Sequence, residues 1–213
     1  MTPTPRPARV GGRTRLDADA RRAQLVALGL EMLSTRPLDQ VAIEDIAAQA
    51  GISRGLLFHY FPTKRAFHLA VVRAAAEDLL ARTAPDPALP PRARLRAGVE
   101  AFVDHVAENH DAYRSLVRGA AGGDPGLLEV FDATRTEFAE RVVTGLDLPQ
   151  PAPAPILLAI RGWVAFTEEA VLVWLAGGGR VPGRDAVVEL IDSALVALLG
   201  AAAPGSVPPE LRA

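Results

Sequence analysis

A chain of 213 residues, 49% of them apolar, is long enough to bury a sizeable core and too apolar to remain unfolded. It has no cysteine, which rules out disulfides and cysteine-held metals. It also has no signal core and no uncharged apolar run near the ~18 residues of a membrane span, so a cytoplasmic protein is expected, with no membrane partner. The net charge of −2 conceals an asymmetry: residues 1–65 hold ten Lys/Arg against six Asp/Glu, and residues 66–213 thirteen against nineteen. A basic N-terminal third suits contact with phosphates.

In chain order, residues 1–16 are rich in Pro, Thr, Gly and Arg and read as a disordered basic arm. Arg6, Arg9, Arg13 and Arg15 could track phosphates or a minor groove; the alternative is a solvated tail. Helix 1 is expected from Asp17 to about Thr35, with Leu25, Leu28, Met32 and Leu33 on one buried face and Pro37 beyond its end. Residues 43–64, IEDIAAQAGISRGLLFHYFPTK, then read as two short helices around a tight turn. Glu44–Ala50 forms the first, Gly51-Ile52-Ser53 the turn and Arg54–Tyr60 the second. Gly51 stands where a positive φ costs nothing, and Ser53 can cap the second helix. Ile46, Ala50, Ile52 and Leu57 supply buried contacts. This is a helix-turn-helix whose second helix suits a DNA major groove.

Residues 17–72, and above all GLLFHYFPTK at 55–64, resemble the DNA-binding domain of TetR-type transcriptional regulators. The pair Tyr60-Phe61 followed by Lys64 at the start of the next helix is the most specific part. Arg54 and His59 are the long polar side chains able to reach base edges, and Gly55 lets the helix N-terminus approach the groove. Ser53, Tyr60, Thr63 and Lys64 suit phosphates; Thr63 sits at a helix start, and Lys64 is the single lysine beside 22 arginines. The resemblance implies phosphate roles for Tyr60 and Lys64. Where the family usually caps the first motif helix with Thr or Ser, this chain has Ala42.

Helix 4 is expected from Lys64 to about Arg82, with Phe67, Val71, Ala74 or Ala75, and Leu79 as its apolar stripe. After a Pro-rich link at 85–91, helix 5 (91–109) starts on proline. Helix 6 is capped by Asp111 and reaches about Ala121, where Gly122-Gly123 break it. Helix 7 starts at Asp124-Pro125 and reaches about Gly145. A loop at 148–155 leads to helix 8 (155–176), closed by Gly177-Gly178-Gly179. Helix 9 covers 185–199, and residues 204–213 read as a flexible tail. The fold class is therefore all-α, about nine helices. A helix-turn-helix domain at 17–72 is followed by a helical ligand-binding and dimerisation domain at 73–203.

Helix 8 is apolar nearly all round and calls for two covering layers, one of them most simply a second copy. Helices 8 and 9 of two chains would form a four-helix interface about a two-fold axis, which the resemblance also implies. Two recognition helices about one DNA turn apart would then read a near-palindrome of double-stranded DNA. Arg161 and Glu168, seven apart on one face of helix 8, either line a pocket, pair across the dimer or lie on a solvent-facing edge. The resemblance further implies a small-molecule effector held among helices 5 to 8. Candidates are Phe102, His105, Tyr113, Leu116, Val117, Phe131, Phe138, Arg161, Trp163 and Phe166; apolar residues at such spacing are more often plain core, since spacing alone does not make a pocket. Ligand binding would tilt helix 4 and change the spacing of the recognition helices.

No phosphate loop, nucleophile elbow or zinc motif is present, and no cofactor is expected. The four histidines, His59, His68, His105 and His110, lack metal-ligand spacing; the last two are five apart rather than four. Glu100, Asp104 and Glu108 form an acid row typical of a solvated helix face. An enzyme is not expected. The competing reading is a helical small-molecule carrier or interaction module whose helix-turn-helix no longer binds DNA.

Overall fold

The computed structural model describes residues 17–121 and 123–203. The arm at 1–16, the tail at 204–213 and Gly122 lie outside the described residues. Within them the chain forms α-helices and one short 3-10 turn, with no strand. The helices are α1 (Ala18–Leu33), α2 (Ile43–Gln49), α3 (Arg54–Tyr60), α4 (Lys64–Arg82), α5 (Pro91–Glu108), α6 (His110–Ala121), α7 (Pro125–Gly145), α8 (Ala154–Ala176) and α9 (Arg184–Ala202). None of these is long and apolar enough to cross a membrane.

Helix ends follow local chemistry. Asp17 caps α1 by accepting from the Ala20 N–H at 2.7 Å. Its far end comes at Leu33, short of Thr35, because Ser34 and Thr35 turn their hydroxyls back onto the carbonyls of Glu31 and Met32. A 3-10 turn at Leu38–Gln40 follows. Asp111 lies inside α6 rather than at its cap, since the helix already starts at His110. Asp124 accepts from the Gly126 and Leu127 N–H groups, and Pro125 occupies the first position of α7. In α9 the alanine-rich end carries the helix past Leu199 to Ala202.

Two apolar cores share α4. The first joins α1, α2 and α3 to Phe67, Val71 and Val72 of α4, with Ala112, Leu116 and Val130 closing it from α6 and α7. Here α1 and α4 cross so tightly that a Cβ on Gly29 would overlap Val71 and Phe67. The second core takes Leu79 of α4 with α5, α7, α8 and α9. The 72/73 division read from the sequence thus falls inside one continuous helix.

Charged groups tie the layers. Arg65 at the start of α4 holds the Asp124 cap of α7 through two bonds of 3.0 and 2.9 Å. That guanidinium and the Leu127 N–H together hold the Asp124 carboxyl down to about 2. Arg184 of α9 grips Asp104 of α5 in the same bidentate way, at 2.6 and 2.7 Å.

Asp192 of α9 is different. It meets Arg96 only at 3.4 Å, its Oδ1 has no partner among the described residues, and burial pushes its carboxyl up to about 6 against the pull of Arg96. Arg92 lowers it further, while Glu189 and Glu100 raise it. Between roughly pH 4 and 6 the folded chain keeps a proton that the unfolded chain has lost, so stability falls as pH rises through that window. Asp192→Asn is expected to gain roughly 1–3 kcal/mol at pH 7.5. The gain should shrink toward zero near pH 4, as read by urea unfolding at both pH values. An equal gain at both would exclude the titration of Asp192 as its cause.

Candidate nucleic-acid interface and ligand cavity

The turn between α2 and α3 is closed by backbone bonds. Gly51 adopts φ 64°, its N–H reaching Ala48, while the Ile52 N–H reaches Ala47 at 2.9 Å. Leu57 is fully buried under α3, which leaves the opposite face of that helix outward. On or beside that face Ser53, Arg54, Gly55 and His59 are exposed and Tyr60 is half-buried. Thr63 and Lys64 are exposed at the start of α4.

Both hydroxyls act as caps. Ser53 accepts from the Leu56 N–H at 3.2 Å and Thr63 from the Ala66 N–H at 3.0 Å. In each case the oxygen accepts, so the hydroxyl proton stays available for an anion. Ala42 occupies the cap position of α2 with no side-chain bond, as its methyl dictates.

Arg54 is not idle in the unbound protein. Its Nη1 lies 3.0 Å from Glu44 Oε1, and its guanidinium sits 5.4 Å from the centre of the Phe58 ring. Both charged side chains are more than half exposed, so the pair is weak enough to be exchanged for a base edge. Gly55 meets nothing internal that would exclude a side chain, the nearest atom to an added Cβ being Ser53 Oγ at 3.9 Å. Any demand for glycine there comes from outside the protomer. Lys64 makes one long contact of 3.5 Å to the Asp39 carbonyl. Sequence reasoning passed over Leu56, which is 40% exposed on α3. An apolar side chain left in solvent on a groove-facing helix suits a thymine methyl, and its place beside Gly55 was the available signal.

Behind this surface lies a cavity of ≈ 560 Å³ bounded by α1, α4, α5, α6, α7 and α8, within the range of small-molecule sites. Phe102, His105, Tyr113, Leu116, Phe131, Phe138 and Trp163 line it. Val117, Arg161 and Phe166 are not among its walls. Val117 packs into the second core. Arg161 points away and donates to Thr136 Oγ1 at 2.9 Å, and Phe166 is 38% exposed on the outer side of α8. Periodicity cannot fix the rotation of a helix that is apolar nearly all round, which is why Arg161 and Phe166 of α8 stand among the candidates; Val117, on α6, faces the second core rather than the cavity.

The walls are aromatic with a polar end. Phe102 meets Tyr113 and Phe138 edge-on, at 6.0 and 6.1 Å. Trp163 is anchored by its Nε1 to the Ile191 carbonyl at 2.8 Å. Burial lowers the His105 imidazole below its ordinary range, which keeps it neutral at pH 7. Glu168 is buried on α8 and receives Arg135 of α7 on a single oxygen, Oε2, at 3.0 Å from Nε and 2.7 Å from Nη2. Of the pair Arg161 and Glu168, then, only Glu168 reaches the cavity. Arg135 and Thr167 were missed, because nothing in the sequence links a residue of α7 to one 33 positions later.

Residues 25–71 match the family described as "Bacterial regulatory proteins, tetR family", and residues 91–197 the one described as "Tetracyclin repressor-like, C-terminal domain". The HTH-type transcriptional activator FasR of Mycolicibacterium smegmatis is 28% identical over 179 residues, 82% of this chain and 81% of the relative. The HTH-type transcriptional regulator EthR of Mycobacterium tuberculosis is 29% identical over 131 residues, 59% of each chain. A tetR-family transcriptional regulator from Streptomyces coelicolor superposes with a TM-score of 0.77 at 31% identity, covering 92% of this chain and 87% of that one.

Proposed function

This chain belongs to the TetR family of transcriptional regulators, and from that premise we propose that it works as a homodimer on a near-palindromic operator, released by a small molecule held in the cavity. It is a DNA-binding, ligand-responsive regulator of the helix-turn-helix type. We read it as a non-enzymatic repressor of the cytoplasm, since occupying promoter DNA requires nothing beyond the two sites described.

The observation that carries the dimer is a set of exposed apolar side chains. Leu158, Val173 and Leu190 are 77%, 61% and 53% exposed on α8 and α9. Large apolar side chains left in water on two neighbouring helices suit an isologous four-helix contact. In that arrangement Arg54, His59 and Leu56 read bases, Gly55 permits close approach, and Ser53, Tyr60, Thr63 and Lys64 hold phosphates.

Selection of bound sequences from random duplex DNA tests this reading. A two-fold motif with half-sites about one turn apart is the expected result. No enrichment from folded protein, with no salt dependence of DNA affinity, would instead favour the carrier. On the selected site, Lys64→Ala should weaken binding to all sequences and flatten the slope of log K against log salt by about one unit per half-site. Arg54→Ala should relax preference at one base position per half-site, at ~1–3 kcal/mol. Unchanged affinity of Lys64→Ala at low salt would refute its phosphate role.

A further inference from the structure

We propose that the molecule taken by this cavity is uncharged and mostly apolar, with a polar end that carries a hydrogen-bond donor beside an acceptor, as a primary or secondary amide does. The inference rests on reading the cavity as the effector site. Its source is the Thr167-Glu168 wall. Both residues are 7% exposed, and both line the cavity. Arg135 places its two bonds on Oε2 of Glu168, and Oε1 has no partner among the described residues. Thr167 Oγ1 likewise has none. Buried polar atoms are almost always paired, so two orphans on successive residues that both line the cavity mark where a ligand's polar atoms belong; His105 Nδ1 and Arg94 Nε, on the same cavity, are also without a partner among the described residues.

The chemistry of that wall is selective. Oε1 is an acceptor only and calls for an N–H or O–H; the Thr167 hydroxyl can donate to a carbonyl. Tyr113 stands on the same cavity, and burial together with the Glu168 charge pushes its ionisation well above the usual range, so it stays an O–H donor. A carboxylate head would oppose its oxygen to Oε1, acceptor against acceptor. An ammonium head fares little better, because Arg135 already neutralises Glu168. A charge entering this end gives up its hydration for no net counter-charge. An amide carries both the N–H that Oε1 calls for and the carbonyl that the Thr167 hydroxyl can serve, while Phe102, Phe138 and Trp163 offer apolar walls for the remainder.

The test is isothermal titration of the full-length protein at pH 7.5 with four probes sharing an eight-carbon body: octanamide, methyl octanoate, octanoate and octylamine. Octanamide is expected to bind at least about tenfold more tightly than each of the others. Glu168→Gln should narrow its advantage over methyl octanoate several-fold, whereas the near-isosteric Thr167→Val, which removes the donor to the carbonyl that both probes carry, should weaken octanamide and methyl octanoate alike several-fold. If Glu168→Gln does not fold, the loss of octanamide affinity in Thr167→Val carries the test. Octanoate or octylamine binding as tightly as octanamide, an advantage untouched in folded Glu168→Gln, or octanamide affinity untouched in Thr167→Val, overturns the proposal. Equal binding of all four overturns the donor requirement and leaves the cavity reading intact. No binding by any of them, with operator affinity unchanged in their presence, overturns both.

Discussion

Phe67→Ala is expected to cost ~3–5 kcal/mol, a large share of the roughly 5–15 kcal/mol that holds a domain of ordinary stability. Phe67 is fully buried, its ring stands edge-on to Phe61 at 5.1 Å, and it fills the space that Gly29 leaves open where α1 crosses α4. The helices cannot close over the gap, because Val71 and Leu25 already lie at full burial in the same core. The loss should reach function before the whole chain unfolds. Phe61 ends α3 and Thr63 starts α4, so a loosened Phe61–Phe67 contact frees the recognition helix from the cap that aims it. Urea unfolding and operator binding of Phe67→Ala and Phe67→Leu would show this as a graded loss of both, with the leucine variant intermediate. An unfolding free energy for Phe67→Ala within ~0.5 kcal/mol of the parent's would mean that this core relaxes freely, contrary to the packing described.

Leu158→Glu is expected to turn the dimer into a folded monomer and to lower operator affinity about a hundredfold or more. Leu158 is 77% exposed in the protomer, so the change should move its intrinsic stability by no more than ~0.5 kcal/mol. In an isologous interface one substitution enters twice. Two carboxylates would be buried without partners, at a few kcal/mol each. A monomer retains one recognition helix and loses the affinity gained by engaging two half-sites together. Sedimentation at micromolar concentration, with circular dichroism for folding, reads the first effect; titration of the full palindrome against a single half-site reads the second. A Leu158→Glu protein that stays dimeric would move the interface away from this face of α8.

Much of the fold was legible because this chain punctuates its helices strongly. Pro62-Thr63 before α4 and Asp124-Pro125 before α7 give starts that match the structure, since a hydroxyl or carboxylate cap and a ring-fixed φ are local effects. The end of α1 was overrun by two residues, because the back-bonding of Ser34 and Thr35 competes with helix continuation and leaves no mark in apolar spacing. The exposed face of α3 proposed to meet DNA could be read as a list of residues, since the helix is short and its buried side is fixed by Leu57 alone. Its electrostatics could not: the Glu44 partner of Arg54 lies across the turn on another helix. The cavity was harder still. The resemblance put Tyr113 and Trp163 among the candidates, but a polar wall made by Arg135 reaching from α7 to α8 exists only once tertiary packing has formed.

The cavity is walled by Leu30 and Leu33 of α1 and by Val72 and Leu79 of α4, and α4 begins at Thr63 and Lys64 on the exposed surface. Two sites joined through the same helices obey thermodynamic reciprocity. Whatever factor the bound molecule takes from operator affinity, operator DNA takes from the affinity for that molecule. The concentration at which this regulator responds is therefore not a constant of the protein. A copy seated on its operator answers only to a higher level of effector than a copy free in solution, and every additional strong site in the genome raises the threshold for the population as a whole.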